Sequence, residues 1–459
     1  MTDNDEKLNA LISESLKYPE KLCGVEERLE KRINREKRKK RTLVSSISAL
    51  AACLLFVILV NTNAAFANVV AEFPVIGKLA EYVKFDKSLS NAIENEYVQE
   101  VNLVAWDGNN KLLLPYVIAD EKNLVLFFQL PEEFNQGSNQ WVNIFLENMN
   151  NGVTGEKIEG FSYSTSGLSP EARDENFGFI MQEYHFTEGE LPKSIDIEVE
   201  VVIENIIASD EPIDLKDYND EAASFSYDKT GNFKFHIELE DFVEAKIYEI
   251  NEKHTIMDQE IIVEDMRVYP TGTEVNFSFP DENPAWIKGL ELEVLQDGNY
   301  LLNGSVRGLS AKHDTENKWM SVYIESNYFE KPKNQELLIK AVRLMDKDEE
   351  YITVDIDNKT ITPAIEGMEL KQVIKNIESA TLIFSTQISK DDNHGMFNSK
   401  YKDMEGNTYE LRGEGTSSYN SQMETIITVK YPPNGKVILQ RALTPKIVLD
   451  HPVKIIIPK

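Results

Sequence analysis

Six histidines, two cysteines and 78 Asp and Glu residues are the side chains of this 459-residue chain best suited to chemistry. Their spacing builds no recognisable site. His185, His236, His254, His313, His394 and His451 stand singly. None has a second histidine at a metal-ligand interval, so the helix-borne zinc pair of a metalloprotease is absent. The sequence also lacks a Gly-x-Ser-x-Gly nucleophile elbow and a phosphate-binding loop. Gly413 and Gly415 flank Glu414 in a segment that reads as a hairpin tip, where glycine serves turn geometry. Two acidic groups, Asp346 with Asp348, Glu349 and Glu350, and Asp391 with Asp392 and Asn393, carry the hard oxygens that calcium takes. Neither has the spacing of an EF-hand loop, and both read as solvated turns. Trp106, Trp141, Trp286 and Trp319 are expected as core anchors. The expectation is a protein that is not an enzyme and that holds no cofactor and no metal.

The informative pattern is instead one of charge against apolarity. An uncharged run from Thr42 to Val60 follows the basic stretch Arg35-Glu36-Lys37-Arg38-Lys39-Lys40-Arg41. Its nineteen residues, at ~1.5 Å each, make a helix of ~28 Å, about one bilayer core. Lys and Arg stay on the cytoplasmic side, so the N-terminus is expected inside the cell and residues 61–459 outside. Two processing signals compete with a retained anchor. Ala65-Phe66-Ala67 has the form of a signal-peptidase site, and Leu50-Ala51-Ala52-Cys53 resembles a lipoprotein box. A 41-residue charged leader and an apolar run that continues past Cys53 both favour retention.

Charge divides unevenly across that run. Residues 1–41 carry twelve Lys/Arg and nine Asp/Glu, whereas 61–459 carry 36 and 69, a net of −33. Such an acidic body disfavours nucleic acid, whose binding relies on cations set against phosphates. The only cysteines are Cys23 and Cys53, so no disulfide staples the region beyond the apolar run. Its roughly 400 residues are enough for several ordinary cores.

The tail reads as two short helices. Leu8, Leu11, Ile12 and Leu16 recur at helical spacing, Pro19 interrupts, and Leu22, Val25, Leu29 and Ile33 form a second stripe. Helices this short are marginal alone, so a stripe without a core calls for a partner or for self-association. The candidate partner-binding residues are therefore Leu8, Leu11, Leu16, Leu22, Val25, Leu29 and Ile33. Past the apolar run, Val69, Val70, Phe73, Ile76, Leu79, Tyr82, Val83 and Phe85 fall at roughly helical intervals. This reads as a broken amphipathic segment that lies at the outer membrane surface or docks under the first outside domain. From Tyr97 the period becomes two. In Ile195–Ile203, aliphatic residues alternate with Asp196, Glu198 and Glu200, as in a half-buried antiparallel strand. An internal echo suggests duplication: the segments 123–131 and 273–280 both end an alternating strand in proline after a strand–turn unit.

Several of these pieces together resemble a known family. Asn63-Ala64-Ala65-Phe66-Ala67, Phe73-Pro74-Val75-Ile76-Gly77-Lys78-Leu79, Val83-Lys84-Phe85-Asp86-Lys87 and Glu94-Asn95-Glu96-Tyr97-Val98-Gln99-Glu100 are similar to the four-one-seven-nine domain-of-unknown-function family of Gram-positive single-pass membrane proteins. That likeness covers about 40–130. Ser326-Asn327-Tyr328-Phe329 and Leu344-Met345-Asp346-Lys347-Asp348 resemble the five-six-four-three-type β-domain that often follows it, over about 240–360. The resemblance implies an association with extracytoplasmic-function sigma factors, with some members described as anti-sigma factors, and brings no catalytic residues. The tail departs from many anti-sigma domains in lacking a His-x-x-x-Cys-x-x-Cys zinc motif, since no histidine precedes residue 185.

The expected architecture is mainly β. A cytoplasmic helical tail (1–41) leads to one transmembrane helix (42–61) and a juxtamembrane amphipathic segment (62–96). Two or three antiparallel β-sandwich, immunoglobulin-like domains follow, at 97–220, 221–361 and 362–459. The expected function is a membrane regulator that holds a cytoplasmic sigma factor and senses an unknown extracytoplasmic ligand or protease. The competing expectation is a membrane-anchored binding or scaffolding protein with no transcriptional role.

Overall fold

The computed structural model describes residues 76–130, 140–166, 178–187, 189–205, 226–302, 311–313, 317–388, 395–412, 414–419, 421–432 and 434–458. The tail residues Leu8 to Ile33 and the run 42–60 lie outside them. Among the described residues no helix is long and apolar enough to cross a membrane. The chain is mainly β and divides into two units, the first being 1–245 with the short returns Tyr269–Gly272 and Ser326–Glu330.

The first unit opens with α1 (Ile76–Tyr82) and α2 (Lys87–Glu94). Eight strands follow: β1 (Gln99–Asp107), β2 (Asn110–Ala119), β3 (Asn123–Gln129), β4 (Gln140–Asn151), β5 (Phe161–Thr165), β6 (Phe179–Phe186), β7 (Ser194–Asn205) and β8 (Ser226–Glu238). They form two antiparallel sheets, in the orders β1-β2-β3-β6-β5 and β4-β7-β8. Setting β1 aside, these are the A-B-E-D and C-F-G orders of an immunoglobulin constant-type sandwich. Leu124, Leu126, Phe128, Ile180 and Tyr184 of one sheet meet Ile144, Ile195, Ile197, Val199 and Phe233 of the other in a single core. The alternation read in β7 places its aliphatic residues there and leaves its acids on the opposite face.

One expected boundary moves. β8, which falls inside the domain expected at 221–361, is hydrogen-bonded along the whole of β7 from Ser194–Glu238 to Asn205–Ser226. The first unit therefore continues to Ala245 rather than ending at 220.

The second unit begins with β9 (Lys246–Ile256), β10 (Gln259–Val268), β11 (Thr273–Ser278), β12 (Ala285–Gln296), β13 (Asn299–Leu302), β14 (Ala311–His313), β15 (Trp319–Ile324) and β16 (Gln335–Asp346). Met257 and Asp258 link β9 to β10 with φ of 48° and 64°, the left-handed pair that a two-residue hairpin turn requires. The chain then runs through β17 (Tyr351–Asp355), β18 (Thr360–Thr362), β19 (Met368–Lys375), β20 (Ser379–Gln387), β21 (Phe397–Asp403), β22 (Thr408–Glu410), β23 (Glu414–Tyr419), β24 (Gln422–Lys430) and β25 (Lys436–Arg441) before β26 (Ile447–Ile456).

Sheets β14-β15-β11-β10-β9 and β13-β12-β16-β26 make one pair, and β18-β17-β25-β21-β22 and β19-β20-β24-β23 make another. The last pair shares a core built around Ile352, Val354, Leu382, Phe384, Ile427 and Leu439. It occupies 351–441, an insertion between β16 and its neighbour β26. The expected C-terminal domain at 362–459 is corrected accordingly: its last strand, β26, pairs with β16, where Val453 faces Ile339 and Ile455 faces Leu337. Two smaller expectations also change. Gly415 sits inside β23 opposite Ile426, not at a hairpin tip. Trp106, Trp141 and Trp319 are exposed by 57%, 38% and 37%, so they anchor no core.

Candidate relay site on the helix-clad sheet

The first sandwich differs from an ordinary one in having both faces of the central strands of its larger sheet buried. β2 and β3 contain almost uninterrupted buried residues from Leu112 to Ile118 and from Asn123 to Phe128. The second face, made of Tyr116, Ile118, Val125, Phe127 and Phe179, is covered by Ile76, Leu79, Ala80, Val83, Leu89, Ala92 and Ile93 of the helical segment. The broken amphipathic segment read between 62 and 96 is thus, over its described part, a helix pair docked on the sheet. Its apolar positions repeat at helical intervals because one face of each helix meets that sheet.

Local chemistry sets the helix ends. Asp86 is the N-cap of α2, its Oδ1 accepting from the Leu89 amide at 2.9 Å. Ser90 Oγ donates to the Val83 carbonyl at 2.9 Å and ties α2 back to the turn after α1. Tyr82 packs 5.5 Å from Phe179 and 6.4 Å from Phe127, ring centre to ring centre, and its hydroxyl meets Ser166 Oγ at 2.9 Å. Burial pushes the Tyr82 phenol above its ordinary value, against the hydrogen bond to Ser166.

A polar clasp borders this apolar interface. The Ser326 amide donates to Ser88 Oγ at 2.8 Å, with both residues fully or nearly fully buried. Glu330 receives Lys87 Nζ at 3.1 Å and Asn91 Nδ2 at 3.2 Å. Just after α2, the Tyr97 hydroxyl donates to the Ala119 carbonyl at 2.6 Å, and its ring lies 5.8 Å from Phe329. At the neighbouring β2–β3 turn the carboxylate of Asp120 is completely buried. Its Oδ1 accepts from the Lys122 amide, the Asn123 amide and Asn123 Nδ2, at 2.9 to 3.2 Å. Its Oδ2 accepts from the amide and hydroxyl of Thr271 at 3.0 and 2.7 Å. Burial raises the Asp120 carboxyl, while these donors favour its charged form. His185 Nδ1 completes the network, 2.7 Å from Asn123 Oδ1.

This arrangement aligns no nucleophile with a base. His185 faces an amide, and the buried Asp120 carboxylate is engaged by five hydrogen bonds. Among the described residues no group of three or more His, Cys, Asp and Glu is placed to hold a metal. Glu349 and Glu350, from one acidic group of the sequence, instead face Arg441 at 2.8 Å and Lys288 at 3.4 Å. What the site does physically is hold two helices by non-directional burial and fix their register with a few directional bonds. None of the seven candidate partner-binding residues, Leu8 to Ile33, falls within it, because all lie outside the described residues. Sequence reasoning missed Ser88, Asp120, Asn123, Thr271, Ser326 and Glu330. Two signals were available: an Asp three residues before a helical Leu, and two successive apolar strands lacking alternation.

Comparison with known proteins adds little beyond this region. No curated protein matches the chain. Among solved structures, a conserved domain protein from Bacillus anthracis is similar with a TM-score of 0.35 and 12% identity, covering 58% of this chain and 84% of that one. The Plasmodium falciparum protein Pf12p is similar with a TM-score of 0.14 and 11% identity, covering 48% and 83%. The family match is confined to the N-terminal part, ends at the close of β3 and does not reach the second resemblance at 240–360. Residues 37–131, which include the docked helices and the first three strands, match the family described as Domain of unknown function (DUF4179).

Proposed function

We propose that this chain is a single-pass membrane regulator, an anti-sigma factor whose cytoplasmic tail holds a sigma factor and whose extracytoplasmic β-body senses a ligand or protease. The observation that supports this reading is the burial of α1 and α2 against β2, β3 and β6. These helices begin sixteen residues after the apolar run ends at Val60. A chain buried so soon after a membrane anchor carries any displacement of the β-body to that anchor, whereas a free linker would absorb it. In the bound state, Leu22, Val25, Leu29 and Ile33 contact the sigma factor, with Leu8, Leu11 and Leu16 as a second anchor. Undocking or cleavage of the helical segment releases it.

Membrane pull-down with the wild-type chain and with Leu29→Asp plus Ile33→Asp tests the contacts. The wild type should recover a sigma factor and the double variant should not; equal recovery rejects those contacts. Deletion of residues 2–30 tests the role itself. Altered transcription of a sigma-dependent regulon supports the regulator, and unchanged transcription leaves a membrane-anchored binding or scaffolding protein.

A further inference from the structure

β12 carries a bulge at Lys288. Ile287 faces Leu344 and Gly289 faces Arg343, which leaves Lys288 outside the ladder. A bulge re-aims its extra residue, and here the side chain enters the interior of the second unit, with Lys288 only 7% exposed. Its Nζ lies 2.9 Å from Oδ1 of Asn317 and 3.4 Å from Oε1 of Glu350. Asn317, also buried, sits at φ 56° just before β15. Glu350 caps the short 3-10 turn that follows β16. Gln440 Nε2 donates to the same Glu350 oxygen at 3.1 Å, and the Arg441 amide donates to the Glu350 backbone carbonyl at 2.9 Å, so both the side chain and the backbone of Glu350 are held. Burial depresses the Lys288 amine below its ordinary value, Glu350 opposes that, and Arg441 adds to it.

An amine, a carboxamide and a carboxylate brought together from three connections, away from bulk water, are the parts of an intramolecular acyl transfer. We propose that Lys288 and Asn317 become joined by an isopeptide bond, with Glu350 carrying the proton. The Lys288 ammonium first gives a proton to Glu350. The neutral Nζ then attacks Cγ of Asn317, and a C–N bond forms. Collapse of the tetrahedral adduct breaks the bond from Cγ to Nδ2, Glu350 returns its proton to the departing nitrogen, and the second proton of Nζ leaves with it. Ammonium is released, and charge and atoms balance without any external reagent. Lys288 belongs to the β13-β12-β16-β26 sheet and Asn317 adjoins β15 of the other, so the bond staples the two sheets of this sandwich. It would do so in a region, 61–459, that contains no cysteine for a disulfide.

Peptide mapping by mass spectrometry of the full-length chain, purified from membranes in detergent, tests this directly. The wild type should yield a branched peptide joining Lys288 to Asn317, lighter by one ammonia than its two parts. Asn317→Ala and Lys288→Met should yield linear peptides only. Glu350→Gln keeps the size of the side chain and should abolish or strongly reduce the branched species. A wild-type digest in which Lys288 and Asn317 appear only in separate linear peptides overturns the proposal. A fully branched Glu350→Gln digest overturns the role given to Glu350.

Discussion

The first sandwich and the sandwich formed by β9–β16 with β26 are built on one plan. β1-β2-β3-β6-β5 corresponds to β9-β10-β11-β15-β14, and β4-β7-β8 corresponds to β12-β16-β26, with β13 added at the edge. Their equivalent middle strands nevertheless differ. β3 reads Asn-Leu-Val-Leu-Phe-Phe-Gln and is buried on both faces, whereas β11 reads Thr-Glu-Val-Asn-Phe-Ser and is buried on alternate residues. The first sheet carries α1 and α2 on its outer side. The corresponding side of the second presents Arg267 opposite Glu274, and Asp265 opposite Asn276. Arg267 reaches both oxygens of Asp265 at 3.1 and 2.9 Å, and Asn276 donates to it at 2.7 Å. One fold thus supports either a helix-docking face or a polar face, and the choice is made by outward residues that leave strand order unchanged.

The strongest way to break this contrast is at the equivalent outward positions. Phe127→Ala should cost about 3–5 kcal/mol in urea unfolding, because a fully buried ring is lost between sheet and helices. Glu274→Ala should stay within about 0.5 kcal/mol as a surface change. Equal costs would remove the distinction. Leu89→Ala should cost about 2–5 kcal/mol. It should also speed hydrogen exchange in α1 and α2 while leaving β10 and β11 protected; unchanged exchange in the helices would mean that they are not held by this face. Ser88→Ala strips the buried Ser326 amide of its acceptor and should cost about 1–3 kcal/mol. Asp86→Ala removes the α2 cap, for about 1 kcal/mol, read as a lower thermal midpoint.

The smallest effect concerns pH. His236 on β8 is clamped between Asp196 at 2.6 Å and Glu238 at 2.8 Å. The hydrogen bond to Asp196, then that to Glu238, raises its pKa above the ordinary histidine value. A histidine with a raised folded-state pKa contributes stability that is complete below its unfolded value, ~6.5, and that disappears as pH rises through the folded value. An NMR titration of His236 should therefore show a midpoint above ~6.5. His236→Asn should flatten the fall in stability over that window, and a midpoint at or below the ordinary value would contradict the clamp.

Much of the local structure was legible in the amino-acid order. The alternation in β7 gave its inward residues, and the echo between 123–131 and 273–280 picked out the middle strands of two equivalent sheets. The uninterrupted apolar residues of β2 and β3 marked strands, yet could not name what covers the second face, because periodicity records burial and not the identity of the cover. The candidate site was less visible. Asp120 and Thr271 are 151 positions apart, and Ser88 and Ser326 are 238 apart. Nothing in either local sequence points to the other. Trp106, Trp141 and Trp319 misled for a related reason: residue type sets an average burial, and position on the sheet decides the individual case.

The amino-acid order alone determined the alternating period of strands such as β7, the amphipathic helical segment and the acidic, disulfide-free character of the chain beyond residue 60. These depend on neighbours a few residues apart, where backbone geometry and side-chain alternation act directly. Tertiary structure decided that β8 completes the first sandwich, that 351–441 is inserted before β26, and that Lys288, Asn317 and Glu350 converge. Such outcomes depend on which distant strands bury one another best, and that free energy belongs to the assembled core and to no segment by itself.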